Sequence, residues 1–239
     1  KIQVGANVPI DHIISEPDMK TVYDIPLALE DEGLGKKVLQ KLDLEPRKEP
    51  DWTHWAELVR RSREPSKKVR VAMVGKYVEI GDFQLTDSYI SVNQSLMHAG
   101  AVTDSEVDIT WIDGHKFEEG ELGTEALEEF DGIVVPGAFG EGGAEGVIMA
   151  IQYAREHGIP FLGLCYGLQL AVIEYARNMA GIQEATSEEF IADSEWMVVC
   201  VQESQKEILE EQRYGGSMRL GAYAAVLKKD SRILELYEK

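Results

Sequence analysis

Cysteine is nearly absent from this chain of 239 residues, which contains two, Cys165 and Cys200. Two thiols are too few for a disulfide framework or for a cysteine-rich zinc site. No apolar run approaches the roughly 20 residues that a membrane-spanning helix needs. The first residues also lack the charged, apolar and small-residue regions of a secretory signal. The sequence therefore predicts a protein of the reducing cytoplasm that makes no membrane contact.

Basic residues are also few, because 24 Lys and Arg stand against 43 Asp and Glu, for a formal net charge of −19. Such an acidic surface repels the phosphates of nucleic acids and of anionic lipids, so neither is expected as a primary partner. Hydrophobic residues at 44% and charged residues at 28% are typical of a globular protein. This composition excludes wholesale disorder.

The first 68 residues differ in pattern from the rest of the chain. Residues 21–42 have the apolar spacing of a helix, interrupted at Pro26 and Gly33. Residues 43–68 are polar and proline-containing, which is typical of a connector. A short helix over 52–61 is predicted inside this connector, with Asp51 or Thr53 as its cap.

From residue 69 onward, apolar strands alternate with helices. The predicted strands are 69–74, 107–112, 132–135 and 160–164, and the predicted helices are 88–98, 144–157 and 168–180, with Gly100 just past the end of the first helix. This alternation predicts an α/β domain of three layers, in which helices cover both faces of a mostly parallel central sheet. Sites in such sheets form at the carboxyl ends of strands, where loops 136–146 and 163–169 lie.

The segment Gly163-Leu-Cys165-Tyr-Gly167 follows an apolar strand and opens a helix. This context is the one that a nucleophile elbow needs, with its central residue on a strained turn and glycines where neighbouring backbone comes close. A thiol at the start of a helix faces a partial positive charge that favours the reactive thiolate. We therefore predict that Cys165 is a nucleophile; the alternative is a buried cysteine in a glycine turn. Cys200 lies in an apolar segment and is predicted to be in the core.

Loop 136–146 carries five glycines directly after a strand. Backbone N–H groups can converge in such a loop and bind an oxyanion or a phosphate. No Lys-Ser/Thr pair follows, so it is not a Walker A loop, and it lacks the acidic residue of a dinucleotide fingerprint. A flexible surface loop is the alternative, but a candidate thiol at the end of an adjacent strand favours an oxyanion hole.

The motifs lack an evident catalytic base. The five histidines are His12, His54, His98, His115 and His157. None lies after the elbow, where the base of such a triad is expected. His98 and His157 are predicted to end helices, which suits the helix dipole. Each histidine is predicted to be structural or solvated.

With Gly215-Gly-Ser-Met-Arg-Leu-Gly221, the elbow and the glycine loop resemble the glutaminase half of the CTP synthase family, a class I glutamine amidotransferase of flavodoxin-like fold. Segments 74–79 and 87–92 resemble its opening strand and helix, and segments 7–9 and 22–26 resemble the end of its amidoligase half and the joining segment. The resemblance implies that residues 1–68 are the tail of the amidoligase half and the interdomain linker. Residues 69–239 would be an amidotransferase domain, incomplete at its C-terminus.

The resemblance also implies residue roles. Cys165 would attack the side-chain amide of L-glutamine and release ammonia through a thioester. The backbone N–H groups of Ala138 and Tyr166 would form the oxyanion hole, and Glu189 would bind the α-amino group of the substrate. The residues implied to contact bound glutamine are Gly167, Leu168 and Gln169.

In the whole family enzyme, ammonia passes to the amidoligase half, where UTP activated by Mg-ATP is aminated to CTP. GTP stimulates the glutaminase, and the enzyme is a homotetramer. The resemblance therefore implies L-glutamine as the partner of this chain and no cofactor or metal within it. UTP and Mg-ATP belong to the other half.

The chain departs from the family pattern at several positions. Ala138 stands where the family usually has glycine, which would strain the loop by about 1–2 kcal/mol if its φ were positive. Gly142 replaces an expected arginine, and 83–86 resembles an insertion. The family's catalytic His and Glu would lie beyond Lys239. Two alternatives stay open: an inactive module with a regulatory or assembly role, and a γ-glutamyl hydrolase with a similar elbow.

Overall fold

Among the described residues, four parallel strands form the central sheet. The computed structural model describes residues 1–76, 79–80, 83–84, 89–203, 205–206 and 224–237. The strands of these described residues are β1 Lys67–Gly75, β2 Glu79–Ile80, β3 Phe83–Gln84, β4 Ser105–Asp113, β5 Gly132–Val135, β6 Phe161–Gly163, β7 Thr186–Ser187 and β8 Met197–Val199. The central sheet has the order β4-β1-β5-β6, and all its pairs are parallel. β2 pairs with β3, and β7 pairs with β8.

The chain forms two compact units, residues Lys1–Val199 and Cys200–Lys239. The helices of the first unit are α1 Ile2–Ala6, α2 Ile25–Asp31, α3 Leu34–Lys41, α4 Thr53–Arg63, α5 Ile90–Val102, α6 Gly114–Glu118, α7 Ala144–His157 and α8 Tyr166–Asn178. The described part of the second unit contains α9, Arg232–Tyr237. No helix of the described residues has the length and apolar character needed to cross a membrane.

Alternate residues of the strands pack on opposite faces of the sheet, as the pleat of a strand requires. On one face, Ala72 and Val74 of β1 join a core that includes residues of α7 and α8. On the other face, Val71 and Met73 pack with partly buried residues of α5. Both faces of the parallel sheet are therefore covered, and the predicted three-layer architecture is confirmed.

A buried ion pair joins α7 to α8. Glu174 is 1% exposed, and the Nε and Nη2 atoms of Arg155 donate to its carboxylate at 2.8–3.1 Å. Asn178 Nδ2 also donates to Glu174, at 3.0 Å. The hydrogen bonds to Glu174 raise the pKa of Arg155. This network fixes the helix that follows the predicted elbow against its neighbour.

Residues around Tyr23 and α4, within the N-terminal 68 residues, contact α5. Trp55 Nε1 donates to the carbonyl oxygen of Tyr23 at 2.8 Å, and the Tyr23 hydroxyl shares a hydrogen bond with His98 Nδ1 at 3.0 Å. Asp51 accepts from the N–H of Thr53, the first residue of α4, at 3.0 Å, but the N-cap residue is Trp52 and not Asp51 or Thr53, so the predicted cap is wrong by one residue. The predicted helical stretch over 21–42 is divided into α2 and α3 at residue 33, where φ is +71°. The division into segment 1–68 and domain 69–239 stays a prediction.

The first helix of the α/β region is longer than predicted. It begins at Ile90 and continues to Val102, so Gly100 and His98 lie inside it and not at its end. A Cβ atom at Gly100 would lie 2.5 Å from the carbonyl oxygen of Ser105. Gly100 is therefore a packing glycine, which lets α5 approach the start of β4. Residues 85–88 and 215–221, which carried part of the sequence argument, lie outside the described residues.

Gly100→Ala should destabilise the protein by about 1–3 kcal/mol, because the added methyl group would clash with backbone. Gly35→Ala is the matched control within a helix, since its Cβ would meet Glu30 Oε2 at an ordinary 3.6 Å. That control should be neutral or stabilising by up to about 1 kcal/mol. Urea unfolding of the two variants measures both effects. Equal stability of the two variants would contradict the packing role of Gly100.

Candidate active site

The turn between β6 and α8 is strained at Cys165. Cys165 is the residue before α8 and has φ +52° and ψ −105°. A residue with a side chain rarely adopts such angles, which cost of order 1–3 kcal/mol unless the surroundings impose them. The strained turn that the sequence predicts is present, and it lies at the carboxyl end of a sheet strand.

The two glycines that flank the elbow are required by close backbone contacts. A Cβ at Gly163 would lie 2.6 Å from the carbonyl carbon of Gly167. A Cβ at Gly167 would lie 2.3 Å from the carbonyl oxygen of Val135, at the end of the neighbouring strand β5. Both distances are shorter than any real Cβ contact. Glycine at these positions therefore lets the turn pack against itself and against β5.

The thiol of this turn is accessible and lies beside the glycine loop. Cys165 is exposed, and a Cβ at Gly137 would be 3.6 Å from the Cβ of Cys165. The loop after β5 thus begins in contact with the candidate nucleophile. Cys200, predicted to be in the core, is exposed as well. That prediction is wrong because β8 ends at Val199 and Cys200 lies outside it.

Lys76 directly follows β1 and reaches into the glycine loop. Its Nζ donates to the carbonyl oxygen of Phe139 at 2.8 Å and also to that of Gly140. The hydroxyl of Tyr166 donates to the same Gly140 carbonyl at 2.6 Å. Burial lowers the pKa of Lys76, and nearby carboxylates, Glu189 first among them, partly oppose that effect.

Glu189 approaches the loop from the segment after β7. Its Oε1 accepts a hydrogen bond from the N–H of Gly140 at 2.6 Å. The neighbouring Phe190 ring makes an edge contact with the Tyr166 ring at 6.2 Å between centroids. Glu189, Lys76 and Tyr166 therefore meet around a single residue of the loop.

His115 supports the other half of the loop. Its Nδ1 donates to Asp113 Oδ1 at 2.8 Å. A Cβ at Gly143, where φ is +73°, would lie 2.8 Å from His115 Cε1. His115 follows β4, which is three strand spacings from β6, or about 14 Å. Because His115 lies at the opposite edge of the sheet from Cys165, it is placed to support the glycine loop and not to transfer a proton at Cys165.

The oxyanion and substrate candidates surround the elbow. Ala138 is buried and is not among the described non-glycine residues with positive φ. The strain considered for alanine at this position is therefore absent. Tyr166 is buried and begins α8. The N–H of Gly167 donates to the Leu164 carbonyl at 3.0 Å. Of the two residues that follow, Leu168 is exposed and Gln169 is half-buried.

Sequence reasoning missed the roles of Lys76 and Asp113 in this site. Both stand at the carboxyl ends of strands in a parallel sheet, which is the signal that could have found them. The carbonyls that Lys76 contacts lie 63 and 64 residues further along the chain. Asp113 bonds the nearby His115, which contacts the glycine loop only because of the path that the loop takes. A single sequence does not reveal such contacts.

The profile of the class-I glutamine amidotransferase family matches residues 84–235. The chain belongs to this family. The CTP synthase of Pyrococcus abyssi is 45% identical over 239 residues, which cover 100% of this chain and 42% of that protein. The CTP synthase of Methanocaldococcus jannaschii is 44% identical over 243 residues, which cover 99% of this chain and 43% of that protein. This amidotransferase chain thus spans less than half the length of the curated relatives it matches.

A solved structure of the same family has a similar fold. It is the glutaminase domain of Trypanosoma brucei CTPS with bound acivicin, with a TM-score of 0.51 and 39% sequence identity. The match covers 56% of this chain and 50% of that chain. The predicted amidotransferase fold and the resemblance to CTP synthases are confirmed.

Because the elbow is strained by its side chain, Cys165→Gly should be more stable than Cys165→Ala by about 1 kcal/mol or more. Cys200 is the control, since it is also exposed but has no positive φ. There the glycine variant should be less stable than the alanine variant by about 0.5–1 kcal/mol. Urea unfolding of the four variants tests the contrast. The same order at both positions would contradict strain at the elbow.

Proposed function

We propose that this amidotransferase chain hydrolyses L-glutamine to L-glutamate and ammonia, with Cys165 as the nucleophile. The observation that carries the proposal is the strained, exposed Cys165 beside the start of the glycine loop. The thiolate attacks the amide carbon and forms a C–S bond. The C–N bond then breaks as the proton that the thiol gave up is delivered to the amide nitrogen, which leaves as ammonia. Water then attacks the γ-glutamyl thioester, releases glutamate and restores the thiol.

Both tetrahedral intermediates of this reaction carry an oxyanion, which needs hydrogen-bond donors. We assign this role to the backbone N–H groups of Ala138 and Tyr166. The contact between Gly137 and Cys165 supports the first assignment. The second is supported by the start of α8 at Tyr166, because the first turn of a helix directs its N–H groups outward.

Recognition of the α-amino group of glutamine is assigned to Glu189, with Gly167, Leu168 and Gln169 as further contacts to the substrate. The Glu189 carboxylate is exposed and hydrogen-bonded to the loop that begins beside the thiol. A carboxylate has about four acceptor positions. The bond to Gly140 therefore leaves it able to accept from an ammonium group.

For the whole protein we propose CTP synthesis, in which the ammonia aminates UTP in an ATP- and magnesium-dependent step. Similarity to CTP synthases over the full length of this chain supports this assignment. Stimulation by GTP, assembly as a homo-oligomer and a cytoplasmic location are parts of the same proposal. UTP and ATP would bind outside the residues of this chain.

The two alternatives have less support. An inactive module was suggested by Ala138, by Gly142 and by the lack of an evident base among the histidines. The φ of Ala138 is not positive, so backbone strain no longer supports that alternative. A γ-glutamyl hydrolase would use the same elbow. The CTP synthases among the relatives favour free glutamine as the substrate.

In the whole protein, replacing Cys165 with alanine should lower ammonia release from L-glutamine by roughly 10³-fold or more, because the elbow then has no thiolate to form the thioester. The matched control is Cys200→Ala, which also removes an exposed thiol and should leave the rate unchanged. Glutamate dehydrogenase coupling measures the ammonia. Equal rates in the two variants would refute the proposed function.

Glu189→Gln should raise the KM for L-glutamine by roughly 10-fold or more, because a charge-assisted hydrogen bond contributes about 1.5–3 kcal/mol. The side-chain amide oxygen that this substitution introduces can still accept the hydrogen bond from the N–H of Gly140, so kcat should change much less than KM. Steady-state kinetics at varied glutamine concentration separate the two constants. A fall in kcat at constant KM would contradict recognition of the α-amino group by Glu189.

A further inference from the structure

The peptide group between Phe139 and Gly140 is held from both sides. Its carbonyl oxygen accepts from Lys76 Nζ at 2.8 Å, and its N–H donates to Glu189 Oε1 at 2.6 Å. The C=O and N–H of a trans peptide point in opposite directions within one plane. Lys76 and Glu189 therefore oppose each other across this peptide and resist its rotation.

The next peptide group is held by the same lysine. The carbonyl of Gly140 accepts from Lys76 Nζ and from the hydroxyl of Tyr166. Gly140 has φ +77°, in a region that glycine enters as easily as the negative one. A loop with so many glycines has many accessible conformations, so it needs contacts from outside to select one.

Lys76 can supply these contacts because of its place in the sheet. It follows β1, which pairs with β5, and the glycine loop begins where β5 ends. Its half-buried ammonium group is directed at backbone carbonyls of that loop. Three donors on one nitrogen can serve adjacent carbonyls at once.

The proposed oxyanion donor at Ala138 lies between two anchors. On one side, Val135 is fixed in the sheet and accepts from the N–H of Leu164 at 2.9 Å. On the other side, the peptide after Phe139 is held by Lys76 and Glu189. Residues 136–138 span the short distance between these anchors, so their peptide orientations depend on both.

We propose that Lys76 is a positioning residue for glutamine hydrolysis, which holds the peptide after Phe139 so that the N–H of Ala138 points at the oxyanion formed on Cys165. This inference rests on the proposed function. Without Lys76, the peptide after Phe139 is held from one side only, by Glu189, and the donor at Ala138 is less firmly directed. A misdirected donor weakens stabilisation of the transition state and leaves glutamine binding nearly unchanged.

The test compares Lys76→Met with Lys76→Arg in the whole protein, in a Cys200→Ala background. Methionine keeps an apolar stem and loses the donors, whereas arginine keeps a cation with several donors. For Lys76→Met we expect kcat for glutamine hydrolysis to fall roughly 10- to 100-fold, with KM changed less than about threefold. Lys76→Arg should recover at least part of the lost rate.

Alkylation of Cys165 by iodoacetamide provides a readout that a general structural defect would change. This displacement forms a C–S bond and releases iodide without any oxyanion, so it should proceed at the same rate in Lys76→Met as in the parent. An unchanged kcat in Lys76→Met would overturn the inference. A parallel fall in the alkylation rate would overturn it too, because Lys76 would then act on the thiol itself.

If Lys76→Met does not unfold cooperatively, Lys76→Gln takes its place. This variant keeps N–H donors on a shorter, uncharged side chain and should lower kcat roughly 3- to 10-fold, again at nearly constant KM. An unchanged kcat there would overturn the inference. Failure of the proposed function appears differently, as ammonia release that Cys165→Ala leaves intact.

Discussion

The position of the candidate nucleophile depends on how closely the turn after β6 packs against the end of β5. At residue 167 this approach leaves no room for a Cβ, since one would lie 2.3 Å from the carbonyl oxygen of Val135. With the turn pressed against β5, Cys165 takes a φ of +52° and presents its thiol to solvent. The same contact brings the start of the glycine loop beside that thiol. A steric constraint between two backbone segments thus determines the geometry of the candidate active site.

The glycine loop contributes adaptable backbone donors but little rigidity of its own. Its conformation is fixed by side chains from four other parts of the chain, namely Lys76 after β1, His115 after β4, Tyr166 at the start of α8 and Glu189 after β7. The chain has a net charge of −19, and the carboxylates near the half-buried Lys76 stabilise its positive charge. Nearby carboxylates such as Glu189 oppose the effect of burial on its pKa. The proposed reaction therefore depends on contacts between loops at one edge of the sheet.

Much of the fold could be predicted because it depends on local patterns. The apolar segment that forms β5 and the glycine at the end of α7 each determine the structure of only a few neighbouring residues. The elbow could be predicted too, since glycines on both sides of Cys165 indicate a turn whose backbone packs too closely to admit a side chain there. Contacts over long separations could not be read in this way. The close approach of Gly100 to Ser105, and the bond from Lys76 to Phe139, depend on how elements pack and not on the sequence around them.

Cys165 is the thiol proposed to react with glutamine, and the second cysteine, Cys200, is an internal control because both are exposed. The most direct measurement is peptide mapping by mass spectrometry after exposure to 6-diazo-5-oxo-L-norleucine, a glutamine-shaped diazoketone that alkylates thiols with loss of nitrogen. We expect rapid labelling of Cys165, slow labelling of Cys200, and protection of Cys165 by L-glutamine but not by D-glutamine. Equal labelling of the two cysteines, or no protection by L-glutamine, would contradict the proposed role of Cys165.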